Sequence, residues 1–140
     1  MGIEKITEEL NFNFILTKNN HILVIEYNLE TRKMYPDTKL IDRLIQRIVT
    51  VVQPKKIILF GSAARGEMDS NSDLDILVIV PDGTQRRRTA QMIYRHMIGF
   101  QCAVDIIVAT ETDLQVYGNK IGLIYNSAVQ EGREIYASGK

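Results

Sequence analysis

Residues 61–75 read Gly61-Ser62-Ala63-Ala64-Arg65-Gly66-Glu67-Met68-Asp69-Ser70-Asn71-Ser72-Asp73-Leu74-Asp75. Asp73 and Asp75 stand two residues apart where an apolar run, Leu74-Asp75-Ile76-Leu77-Val78-Ile79-Val80, begins. In a strand, residues i and i+2 point to the same face, so both carboxylates share one side of a sheet. Two carboxylates that close raise each other's proton affinity unless a cation neutralises them. Hard oxygen ligands at this spacing suit Mg²⁺, which takes one or two protein carboxylates together with waters and substrate phosphates. By itself Asp-x-Asp is common in solvated turns and helix caps. Here the strand that follows carries Asp75 towards the core, where a carboxylate needs a partner, and no Lys or Arg follows it closely.

Asp105 is a second lone charge inside an apolar strand, Ala103-Val104-Asp105-Ile106-Ile107-Val108. If that strand lies beside residues 74–80, Asp105 completes a cluster of three carboxylates. The alternative is a turn cap, or an ion pair with Arg133 or Lys120. Upstream, Gly61-Ser62 follows the apolar run Ile57-Ile58-Leu59-Phe60. A turn at that place can offer backbone amides to phosphate, with Gly61 allowing close approach and Ser62 adding a hydroxyl. Arg65, one helical turn on, could reach the same phosphates with its fork of donors. Alone, Gly-Ser after a strand is a turn. A phosphate cradle facing a metal-binding carboxylate cluster is the apparatus of phosphoryl or nucleotidyl transfer.

The rest of the chain frames these residues. Residues 12–17 and 21–27 are β-branched and aromatic runs separated by Lys18-Asn19-Asn20, a hairpin signal. From Asp37, Leu40, Ile41, Leu44, Ile45, Ile48, Val49 and Val52 recur at spacings of three and four until Pro54, which predicts a helix with one buried face. Residues 84–100 suit a helix with a basic first half. Residues 103–109 read as a strand, 111–117 and 122–130 as helices with a stop at Gly132, and 133–136 as a short closing strand. Apolar strands alternating with helices predict an α/β or α+β fold, a sheet covered by helices.

At 140 residues the chain is the size of one domain, and its 45% hydrophobic and 24% charged residues are ordinary globular composition. Seventeen basic and seventeen acidic residues cancel, which disfavours general nucleic-acid binding. The single cysteine, Cys102, can form no internal disulfide and reads as a small core residue. No apolar run reaches the ~20 residues of a membrane span, and the acidic start, Met1 to Glu9, does not resemble a signal peptide. A cytoplasmic protein is expected. Arg86-Arg87-Arg88 reads as a solvated helix face. His21 and His96 lack metal-ligand spacing and take no role, and Tyr117, Tyr125 and Tyr136 read as packing residues. Glu131 fits either a helix-end surface residue or a group supporting the site.

Gly61-Ser62, ten intervening residues and then Asp73-Leu74-Asp75 resembles the signature of the DNA polymerase β-like nucleotidyltransferase superfamily, with Asp105 where its third carboxylate is expected. The variant Gly-Ser-x-Ala-Arg-Gly-Glu is similar to the minimal nucleotidyltransferases, the MNT branch, as is the ending from Ile124 to Tyr136. The resemblance spans residues 38–136 and leaves 1–36 as an N-terminal extension before a domain at 37–140. It implies a small mixed β-sheet with helices mainly on one side. It also implies two Mg²⁺ ions on Asp73, Asp75 and Asp105, with Gly61 and Ser62 on the β- and γ-phosphates of a nucleoside triphosphate. Members of this branch resemble antitoxins that silence HEPN-type toxins, which are ribonucleases, by adding AMP from ATP to a tyrosine. With no room for a further acceptor-gripping domain, the expected acceptor is a hydroxyl of a partner protein. Two alternatives are a non-catalytic antitoxin acting by contact, and an aminoglycoside-type nucleotidyltransferase whose acceptor pocket forms in a homo-oligomer.

Overall fold

Residues 11–18, 21–120 and 123–139 are described by a computed structural model of the chain. In chain order its elements are β1 (Asn11–Lys18), β2 (His21–Asn28), β3 (Lys33–Pro36), α1 (Thr38–Val51), β4 (Lys56–Phe60), α2 (Gly61–Arg65), β5 (Leu74–Val80), α3 (Arg86–His96), β6 (Val104–Thr110), α4 (Glu111–Tyr117), α5 (Ile124–Glu131) and β7 (Arg133–Ala137). Asp37 caps α1 by accepting a hydrogen bond from the Lys39 amide at 3.3 Å. The three-and-four spacing places Leu40, Leu44 and Ile48 on its buried face.

The central sheet has the order β6-β5-β4-β7. β5 and β6 run parallel, while β4 is antiparallel to both β5 and β7, so the sheet is mixed. Alternation along the strands divides the apolar core in two. Leu74, Ile76, Val78, Ile106 and Val108 meet α1 and α3 through Leu44, Ile48 and Ile93. On the opposite face, Phe60, Leu77, Ile79 and Ala109 form a smaller cluster with Ala128 of α5. The bulk of the helical cover therefore lies on one side, and the thinner side is the one that carries the odd-numbered residues of β5.

A second antiparallel sheet, β1-β2-β3, precedes α1. Leu23 and Ile25 of β2 are buried in the same cluster as α1 and the central sheet, so the N-terminal strands share the main core. β3 is not among the sequence expectations: four residues ending in a proline carry little periodic signal, and an edge position is where a proline-terminated strand is tolerated. Helix α3 is shorter than the expected 84–100, because residues 97–99 form a turn in which Gly99 has φ +78°. Asn19 and Asn20 of the expected hairpin turn, Gly122 at the expected start of the last helix, and the acidic residues 1–9 lie outside the described residues. Among the described residues no helix is long and apolar enough to cross a membrane.

Candidate active site

The parallel register of β5 and β6 sets Asp75 directly beside Asp105, and the antiparallel register of β4 sets Phe60 on the other side of Asp75. Asp75 thus shares its face with Phe60, Leu77 and Ile79, the thinly covered side of the sheet. Asp73 lies one residue before β5, with its Oδ1 atom buried. All three aspartates lie at the same end of β5 and β6, near enough for Asp105 and Asp73 to act electrostatically on Asp75. Burial first, then Asp105, then Asp73, pushes the Asp75 carboxyl above the ordinary aspartate range, and the nearby positive charge of Arg65 opposes them.

Among the described residues no ion pair joins Asp105 to Arg133 or Lys120, its two alternative partners. The Lys120 ammonium lies over the Tyr117 ring, 4.9 Å from its centroid, and the Arg133 guanidinium lies over Tyr35 at 5.5 Å. Tyr117 is itself exposed rather than packed, whereas Tyr125 and Tyr136 pack as expected. Beside Asp105, the Tyr94 hydroxyl accepts from the Ile106 amide at 2.8 Å and donates to the Ile106 carbonyl at 3.4 Å. That satisfies the backbone groups of Ile106 on the edge strand β6.

Gly61 begins α2 immediately after β4, with φ +68°. A Cβ there would strike Asp75 Oδ2, so the absence of a side chain lets this turn lie against the Asp75 carboxylate. Ser62 is the next residue of that helix. Arg65 has its Nε 3.0 Å from Glu67 Oε2 and its Nη1 3.1 Å from Glu131 Oε2. These bonds, the one to Glu67 first, raise its pKa. They use part of its donor fork, and Arg65 remains close enough to Asp75 to lower its proton affinity. Glu131 thus belongs to the surroundings of the site, a role that sequence position left open. Arg86, Arg87 and Arg88 are exposed, and Arg86 pairs with Asp113 at 3.0 Å.

Among the described residues no group of three or more His, Cys, Asp or Glu side chains stands ready to hold a metal ion. The donor set nevertheless fits Mg²⁺. Its oxygens are hard, they come from adjacent strands, and the repulsion that Asp105 and Asp73 add to burial in raising the Asp75 pKa is what a divalent cation would offset. Since the folded state holds the Asp75 proton more tightly than the unfolded chain, stability falls as pH rises from the ordinary aspartate range through the raised value. Above that window the cost is complete. Asp75→Asn is therefore expected to raise the melting temperature at pH 7 by about 2–4 °C in the absence of metal. The gain should shrink below about pH 4, where the aspartate is protonated even unfolded. A thermal melt across pH checks both statements, and a gain independent of pH contradicts them.

The nucleotidyltransferase domain family matches residues 39–134. Two relatives in Methanocaldococcus jannaschii, each named putative protein adenylyltransferase, are 30% identical. One aligns over 46% of this chain and 71% of its own length, the other over 59% and 78%. A putative nucleotidyltransferase from Sulfolobus solfataricus shares the fold with TM-score 0.52 and 22% identity, covering 73% of this chain and 81% of its own. A toxin–antitoxin structure with AMP-PNP shares it with TM-score 0.51 and 19% identity, covering 71% and 74%. A mixed sheet carrying paired aspartates at the mouths of parallel strands, matched over most of its length, places this chain in the nucleotidyltransferase domain family.

Proposed function

We propose that the chain is a Mg²⁺-dependent adenylyltransferase that moves AMP from ATP onto a hydroxyl of a partner protein, as the antitoxin of a HEPN-type toxin pair. The observation that carries this reading is the register match of Asp75 with Asp105, with Asp73 two residues before Asp75 and Gly61 pressed against Asp75. The names of the two archaeal relatives and the toxin–antitoxin neighbour with AMP-PNP support the choice of protein acceptor and adenine nucleotide.

In this reading Gly61 and Ser62 donate hydrogen bonds to the β- and γ-phosphates, and Arg65 adds charge from the donors left over by Glu67 and Glu131. Asp73, Asp75 and Asp105 would hold two Mg²⁺ ions, which supply activation of the attacking hydroxyl and neutralise charge on the departing pyrophosphate. The acceptor oxygen bonds to the α-phosphorus as the bond to pyrophosphate breaks, and the hydroxyl proton is released to water. The carboxylates align the two reacting groups in one geometry, which is a large share of catalysis in phosphoryl transfer.

The test is label transfer from α-labelled ATP, compared with GTP, CTP and UTP, with and without the protein product of the neighbouring gene. The expected result is Mg²⁺-dependent label on that neighbour with ATP preferred. A tight complex that carries no label would overturn transfer in favour of a contact-only antitoxin. Label on an aminoglycoside with the chain alone would overturn the protein acceptor.

A further inference from the structure

We infer that the N-terminal sheet, which lies outside the family match at residues 39–134, positions the loop joining the Gly61-Ser62 turn to Asp73, with Met34 as the positioning residue. Alternate residues of β3 turn their backbone groups to opposite sides. Tyr35 and Lys33 face β2, and Met34 faces outward, towards this loop. The Met34 amide donates to the Gly66 carbonyl at 2.8 Å, and the Met68 amide donates to the Met34 carbonyl at 3.2 Å. This is a parallel bridge between Met34 and Glu67. Residues 66–68 are thus pinned to the edge of β3 by one isolated bridge.

Both ends of this brace are fixed. On one side, Leu23 and Ile25 sit in the main core, and Met34 packs against it. On the other, Glu67 accepts from Arg65, which also reaches Glu131. Gly66 has φ +75°, and a Cβ there would come within 2.7 Å of Lys33 Cβ and 2.8 Å of Tyr35 Cζ, so the loop lies flat on β3. From Met68, which is buried, the chain passes into a turn held by its own bonds: the Asp69 amide donates to Ser72 Oγ at 2.9 Å, and the Ser72 amide to the Asp69 carbonyl at 3.2 Å. That turn hands its position to Asp73. A shift of β3 is therefore passed to Arg65 and Asp73 together.

This inference rests on the transferase reading for its effect on nucleotide, but not for its effect on the loop. The discriminating variant is Met34→Pro, which deletes the donor to Gly66 while leaving the β2 ladder intact, since an edge proline is tolerated where its N–H faces away from the sheet. Met34→Ala keeps both backbone bonds and is the reference for lost side-chain packing. Hydrogen exchange at the amides of residues 67–73 is expected to be at least about fivefold faster in Met34→Pro than in Met34→Ala. The Mg²⁺-dependent Kd for an ATP analogue with an uncleavable α–β bridge should weaken about five- to tenfold, with KM following it and kcat changing less. If Met34→Pro does not fold, Gly66→Ala, which forces the loop off Lys33 and Tyr35, is expected to give the same exchange and binding changes. Equal exchange in the Pro and Ala variants overturns the positioning role. Faster exchange in a protein whose wild type binds no nucleotide sustains it and overturns the transferase reading instead.

Discussion

Asp73→Asn is expected to lower Mg²⁺-dependent transfer by at least about a hundredfold, since losing a group that merely supports a metal's ligands already costs about 10–100-fold. Asparagine has the shape of aspartate, so the loop before β5 keeps its packing while the site loses a charge and a hard anionic donor. Asp73 is also one of the charges that hold the Asp75 proton affinity high, so its removal relieves repulsion within the fold. The melting temperature without metal is therefore expected to stay within about 2 °C of wild type or to rise. Label transfer over a series of Mg²⁺ concentrations, beside a thermal melt, separates the two effects. Transfer at the wild-type rate by a folded Asp73→Asn protein would sink the assignment of the carboxylates to catalysis.

Gly61→Ala should damage folding and chemistry together. At φ +68° an L side chain costs about 1–2 kcal/mol, and the added methyl meets Asp75 Oδ2. A fall in melting temperature of about 3–8 °C is expected for the backbone cost alone. Transfer should drop by about a hundredfold, because displacing a positioning or reacting group by about 1 Å can cost that much. The collision has its own signature. In an Asp75→Ala background the carboxylate is gone, so Gly61→Ala should destabilise less than it does in wild type, a coupling that a double-mutant cycle measures. Strict additivity of the two substitutions would show that the glycine is needed only for its backbone angle.

The positions of these residues were legible to different degrees, for physical reasons. Asp73, Asp75 and Asp105 stand out in sequence because a charge in an apolar strand violates the pattern around it. Period-two alternation fixes the face of Asp75, and β5 and β6 deliver the parallel pairing on which its meeting with Asp105 depends. Helix α1 was readable from its cap at Asp37 and its apolar spacing, both of which are local. The positive φ of Gly61 agrees with the freedom read from its type, but its target, the Asp75 carboxylate, is a tertiary contact.

Arg65, read as a phosphate ligand, lies between Glu67 and Glu131, and the latter is 66 positions away in the chain. No window of sequence contains that pair. Separation in the chain likewise hides the bonding of Tyr94 to Ile106 at the edge of β6 and the stacking of Arg133 on Tyr35. It hides β3 as well, whose four residues gain their strand identity from β2 on one side and residues 66–68 on the other.

By itself the amino-acid sequence singled out the groups proposed to carry the chemistry, since side-chain type and short-range periodicity are properties of neighbouring residues. Only the tertiary structure decided how those groups are held. The Asp75 proton affinity, the clamp on Arg65 and the bracing of the loop by the N-terminal sheet all arise from burial, charge and backbone hydrogen bonds between segments far apart in the chain, which exist only once the core has closed.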